Sequence, residues 1–130
     1  MSELAKSAEI LLEVAPRLQG SFIDRLSYAA GGTRDCLDIW LTQTQGLGEV
    51  VLSLEQVRYF TMEKPAELEQ SFVDDFQIFL LPQSGDWPDG AEQRVQRFPG
   101  LPELVWIRMI GPAEVDVISS ILTVANRMRS

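Results

Sequence analysis

Apolar residues recur along the first fifteen positions at spacings of three and four. Leu4, Ala8, Leu11, Leu12 and Ala15 form one stripe, widened by Ile10 and Val14, while Glu3 and Glu9 stand on the polar side. That period predicts an amphipathic helix over 2–15. Ser2 suits its N-cap, and Glu3 its positively polarised first turn. Pro16 is expected to end or kink it near Ala15, because proline brings no N–H and crowds the preceding turn.

The period then changes from about 3.6 to 2, the spacing at which side chains alternate across a sheet. Residues 22–29 suit a first strand, and a turn region containing Gly31 and Gly32 follows. Cys36 to Thr42 alternates cleanly. Leu37, Ile39 and Leu41 face one side, and Asp38, Trp40 and Thr42 the other. Beyond Gly46 and Gly48, Val50, Leu52 and Leu54 alternate again, so 36–42 and 49–54 read as an antiparallel hairpin with a long loop. Val57 to Met62 reads as a separate strand ended by Lys64-Pro65. Phe76 to Leu81 is almost wholly apolar, as in a central strand covered on both faces, and Pro82 stops it. Turn residues crowd 83–101, and Leu104 to Ile110 forms a further strand broken in polarity only by Arg108.

The C-terminal segment, 113–128, supports two readings. On a helical wheel its apolar residues share one half, with Pro112 at the first helical position, Glu114 in the first turn, and Arg127 and Arg129 in the last. Against that, six of the ten residues from 115 to 124 are β-branched, and Glu114-Val115-Asp116-Val117 alternates. Helix is the favoured reading and strand the alternative. The fold class that follows is α+β, with an N-terminal helix packed on an antiparallel sheet of about five or six strands and a C-terminal helix. Consecutive strands with short links do not build βαβ units. One domain spanning 1–130 is expected at this length, which supports a core without a disulfide or metal.

Composition narrows the chemistry. No histidine occurs, which removes Ser-His-Asp and Cys-His catalysis in their usual forms and histidine-bearing zinc sites. Cys36, the sole cysteine, forms no internal disulfide and has no imidazole to activate it, so it reads as a small strand residue. The N-terminus lacks the basic flank and unbroken apolar run of a signal peptide, and no apolar stretch approaches a membrane span. A cytoplasmic location is the expectation.

The formal net charge of −8 is concentrated. Between residues 63 and 92 lie Glu63, Glu67, Glu69, Asp74, Asp75, Asp86, Asp89 and Glu92 against Lys64 alone, eight negatives and one positive, or −7 of the total. Such a field repels nucleic acid and anionic membranes and attracts a basic partner. Its plainer meaning is a solvated, loop-rich surface.

No motif in the chain specifies a reaction. Gly31-Gly32 and Gly46-x-Gly48 lack the spacing and the following helix that phosphate cradling requires, and turn glycines account for them. Asp86-Trp87-Pro88-Asp89-Gly90 lacks the alternating acids and twelfth-position Glu of a calcium loop, and a Pro-Asp-Gly turn explains it. No metal site and no cofactor is expected. Arg58 and Arg108 interrupt apolar runs and would pair with an acid such as Asp38 or Glu55 or extend to solvent, with an anionic ligand in a sheet concavity as the alternative. Trp40 and Trp106 suit a covered sheet face, whereas Trp87, within the acidic stretch, suits an interface anchor.

The favoured functional reading is a non-catalytic binding protein, comparable in charge and size to an acidic inhibitor or immunity protein. Glu67, Asp74, Asp75, Asp86 and Asp89 would steer a basic partner, and Trp87 would anchor it. The alternative is a small-molecule-binding domain or enzyme whose curled sheet surrounds an apolar pocket. There Asp38, Trp40, Tyr59 and Arg108 would line the site, with a desolvated Asp as base and Asp24 or Asp116 as substitutes. A homodimer built on an open sheet face is a third arrangement.

Overall fold

The computed structural model describes residues 2–30, 35–42, 48–63 and 72–127. Their order is α1 (Glu3–Leu18), β1 (Ser21–Ala29), β2 (Cys36–Thr42), β3 (Glu49–Glu63), β4 (Phe72–Val73), β5 (Asp75–Leu81), α2 (Ala91–Arg94), β6 (Leu104–Ile110) and β7 (Glu114–Arg127). The turn residues Gly31, Gly32 and Gly46, the Lys64-Pro65 stop, and Glu67 and Glu69 lie outside the described residues.

The α+β class holds: among the described residues the N-terminal helix α1 lies on a curled antiparallel sheet of seven strands, and α2 is a single short turn of helix. The expected C-terminal helix is instead β7. Its β-branched residues and its Glu-Val-Asp-Val alternation decide the matter, since Val115 and Val117 join the core while Glu114 and Asp116 face outward. The expected count of five or six strands was short for related reasons. Residues 49–54 and 57–62 form one continuous strand, and β4 and β7 are additional.

In space the strands run β4-β1-β2-β3-β7-β6-β5. Phe76 to Leu81, expected to be central, is therefore an edge strand, paired only with β6 among the described residues. Its apolarity is explained by cover on both faces: Phe76 and Ile78 pack on one core, and Phe79 and Leu81 on the other. β4 and β5 are neighbours in sequence yet stand at opposite ends of the strand order. Residues 72–74 thus join the two ends of the curl. Gly20 N donates to Val73 O at 2.7 Å, Asp74 N to Ile110 O at 2.9 Å, and Ala113 N to Phe72 O at 3.2 Å.

The long β3–β7 ribbon bends at its middle. Gln56 adopts φ +56°, its N–H donates to Asp35 O at 2.9 Å, and Ser120 Oγ donates to its Oε1 at 2.6 Å. Leu54 and Val57 both pack inward with two residues between them, so the strand switches parity there. A second irregularity follows between Val57 and Tyr59. Extra residues of this kind bend a strand and increase its twist. The bend divides the sheet into a β1–β2–β3 half and a β3–β7–β6–β5 half.

Helix α1 begins as expected, with Ser2 Oγ accepting from Ala5 N at 3.1 Å, but it runs through Pro16 to Leu18. Leu18 is fully buried, and that burial, worth about 1.5–3 kcal/mol, offsets what the proline costs in an exposed last turn. Leu4, Ala8, Leu11, Ala15 and Leu18 are its buried face, whereas Leu12 and Ile10 are exposed. The helix packs against β7 and β5 over the inner face of the sheet, where Leu37, Ile39, Leu41, Leu52 and Ile107 are fully buried.

A second, smaller core lies on the outer face of the β3–β7–β6–β5 half. Segment 82–103 folds over it, so that Ala91, Val95 and Leu101 cover Leu81, Leu104, Trp106 and Ile118. This cover shapes the site.

Candidate functional site

Trp106, on β6, is 1% exposed and points into the outer core, where its ring lies 5.2 Å from that of Phe79. A buried indole N–H needs an acceptor. Trp106 Nε1 donates to Asp116 Oδ1 at 2.5 Å from the neighbouring strand β7. The other oxygen, Asp116 Oδ2, accepts from Arg94 Nε at 2.7 Å. Arg94 sits in α2, spans to β7, and returns to its own turn through a donation to Gly90 O at 2.9 Å. Its guanidinium lies 5.0 Å from the Trp106 ring centre and 5.8 Å from that of Tyr59. The side chains of Arg94 and Asp116 are 23% and 16% exposed. At that depth a two-donor carboxylate is a firm joint, because loss of either donor leaves charge poorly solvated.

Arg108 is directly opposite Asp116 in the β6–β7 register. Asp116 is already bonded twice, and the guanidinium of Arg108 instead lies 5.3 Å from the Trp106 ring centre. Tyr59, Thr61, Arg108 and Asp116 line an open hollow of about 210 Å³ whose rim carries Glu63 and Glu114. A second open hollow, of about 510 Å³, lies beside α2 and is lined by Asp86, Trp87, Asp89, Glu92 and Arg97.

The second hollow is braced from within. Trp87 is half-buried against the outer core and donates its Nε1 hydrogen to Pro82 O at 2.9 Å. Arg97 lies 4.7 Å from the Trp87 ring centre and donates to three carbonyls: Gly85 O at 2.5 Å, Pro82 O at 3.2 Å and Gln83 O at 2.9 Å. Arg97 spends its donors on backbone, so Asp86, Asp89 and Glu92 remain exposed without an ion pair among the described residues.

The expected partner-binding residues separate into two groups. Asp86, Trp87 and Asp89 come together, joined by Glu92. Asp74 and Asp75 are exposed at the other end of β5, about 20 Å away at the rise of a strand. There Asp75 opposes Ile110, which lines the first hollow with Glu114 and Glu63. Both groups therefore border the outer side of the same half-sheet.

The alternative set is divided as well. Tyr59 and Arg108 share the first hollow, with Asp116 between them. Asp38 and Trp40 lie on β2, in the other half of the sheet. Asp38 is half-buried and accepts from Cys36 Sγ at 3.7 Å, and Trp40 is stacked beneath Arg25 at 4.5 Å. Asp24 is exposed at the β1 irregularity, and Arg58 is exposed on β3. No group of three or more metal-ligating side chains occurs among the described residues, and none of their helices is long and apolar enough to cross a membrane.

Sequence reasoning missed Arg94 and Glu114 as site residues. Glu114 carried a usable signal, since strand alternation places it on the face of Asp116. Arg94 carried none, because its role depends on where the cover lands. No protein-family model matches the chain, and comparison with curated proteins and with solved structures finds no match.

Proposed function

We propose that this is a non-catalytic binding protein that docks a basic partner on the outer side of its β3–β7–β6–β5 half. One observation carries the reading. Glu63 and Glu114 in the first hollow, Asp86, Asp89 and Glu92 in the second, and Asp75 beside the first are all exposed, and none is paired with a described cation. With Arg94 paired to Asp116, these six acids stand against Arg97 and Arg108 in the same two hollows, and the net negative field that remains accelerates encounter with a positively charged surface. The half-buried Trp87, held against the outer core with Arg97 over its ring, lines the second hollow beside the acids, and tryptophan is a side chain that contributes affinity once water is excluded. Asp74 extends the field at the closing end of the sheet.

The test is comparative capture from native lysate. The wild-type protein and a variant carrying Asp86→Lys, Asp89→Lys and Glu92→Lys serve as baits at low and high salt. A basic protein retained by the wild type at low salt, and lost both with the variant and at high salt, supports docking on this face. Equal retention by both baits refutes it.

A further inference from the structure

The first hollow combines charges that one small ligand could satisfy together. Arg108 is half-buried, is opposite a carboxylate already committed to Arg94 and Trp106, and makes no ion pair or hydrogen bond among the described residues. Its contact with the Trp106 ring leaves its donors available to an anion. Glu63 and Glu114 are directly opposite in the β3–β7 register and both reach the same hollow. Like charges so placed destabilise a sheet, with Cβ atoms about 4.5–5.5 Å apart. No described Lys or Arg pairs with either, so a cationic group between them would relieve that repulsion. Glu114 is two residues from Asp116, and thus about 7 Å along the strand from the Arg108 row.

The geometry points to a binding site for a small zwitterion of amino-acid size, its carboxylate on Arg108 and its ammonium between Glu63 and Glu114. The hollow, about 210 Å³, is smaller than the roughly 300–1,000 Å³ that drug-sized ligands occupy. Asp116 and Arg94 are positioning residues that keep Arg108 unpaired. This site shares Glu63 and Glu114 with the acidic face proposed above, but Arg108 and the small-molecule titration belong to it alone, and the docking test alters only Asp86, Asp89 and Glu92, so either can fail alone.

The experiment is calorimetric titration of the full chain with each of the twenty free L-amino acids, and with acetate and methylammonium as single-charge controls. At least one amino acid is expected to saturate one site, and neither control should do so at the same concentration. Arg108→Gln and the double variant Glu63→Gln/Glu114→Gln should each weaken binding about tenfold or more, with far-UV circular dichroism unchanged. The double variant removes only exposed charges, so it carries the test should Arg108→Gln fold poorly. Absence of saturable binding, equal binding of acetate, or binding unaffected by the variants overturns the assignment.

Discussion

Arg94 and Asp116 are twenty-two residues apart in sequence and joined at 2.7 Å, so that a four-residue helix in the cover is fastened to the strand beneath it. The same carboxylate holds the indole of Trp106. Cover, strand and buried aromatic therefore share one acceptor, which also lines the first hollow. Asp116→Ala strands two donors, and we expect a loss of about 1–3 kcal/mol in chemical denaturation, moderated by the partial exposure of the pair. Arg94→Ala should cost less. A double-mutant cycle should show coupling, and strict additivity would mean that the bond contributes nothing to the fold.

The closing of the curl depends on close backbone approach at Gly111. A Cβ at that position would lie 2.8 Å from Asp74 N and 3.1 Å from Phe72 O. Those atoms belong to the strand segment bonded to both ends of the sheet, so neither yields easily. Gly111→Ala should destabilise the protein by about 1–3 kcal/mol. Its thermal midpoint should fall, and amide exchange should accelerate first at Asp74 and Ala113. An unchanged midpoint would show that the ends do not meet in this way.

Gln56 holds a left-handed conformation in the middle of a fifteen-residue strand. Gln56→Val puts a β-branched residue where it is least tolerated and should cost about 1–2 kcal/mol. Gln56→Gly removes that strain while losing the Ser120 bond, and should be close to neutral by comparison. Equal stabilities for the two variants would rule out the bend at this position.

Trp87 and Arg97 keep the acidic loop in shape. Arg97→Ala removes donors to Pro82, Gln83 and Gly85 together. Hydrogen exchange in 83–90 should accelerate while exchange in β6 and β7 stays slow, because sub-global opening follows local contacts. Accelerated exchange throughout the chain would instead place Arg97 in the global fold.

Much of the fold was legible because periodicity reports burial. The helix stripe at Leu4, Ala8 and Leu11 and the alternation at Leu37, Ile39 and Leu41 both lead directly to buried faces. The C-terminal segment misled because its apolar residues satisfy two periods at once, and register with β3 and β6 selects the strand. Phe76 to Leu81 misled because cover on both faces gives an edge strand the composition of a central one. The site was less legible still. Arg108 was visible as a polar break in an apolar run and Tyr59 as a candidate pocket residue, but their union with Asp116 arises from cross-strand pairing between distant segments. Asp38 and Trp40 were grouped with them on residue type, and the bend in β3 places them in the other half of the sheet.

The docking claim is tested most directly by the rate at which the captured basic partner associates at different ionic strengths. If the exposed carboxylates steer the encounter, the association rate constant should fall at least about tenfold as salt rises from low to above physiological strength. The Asp86→Lys/Asp89→Lys/Glu92→Lys variant should start slow and change little. A rate indifferent to salt, and shared by wild type and variant, would contradict the account.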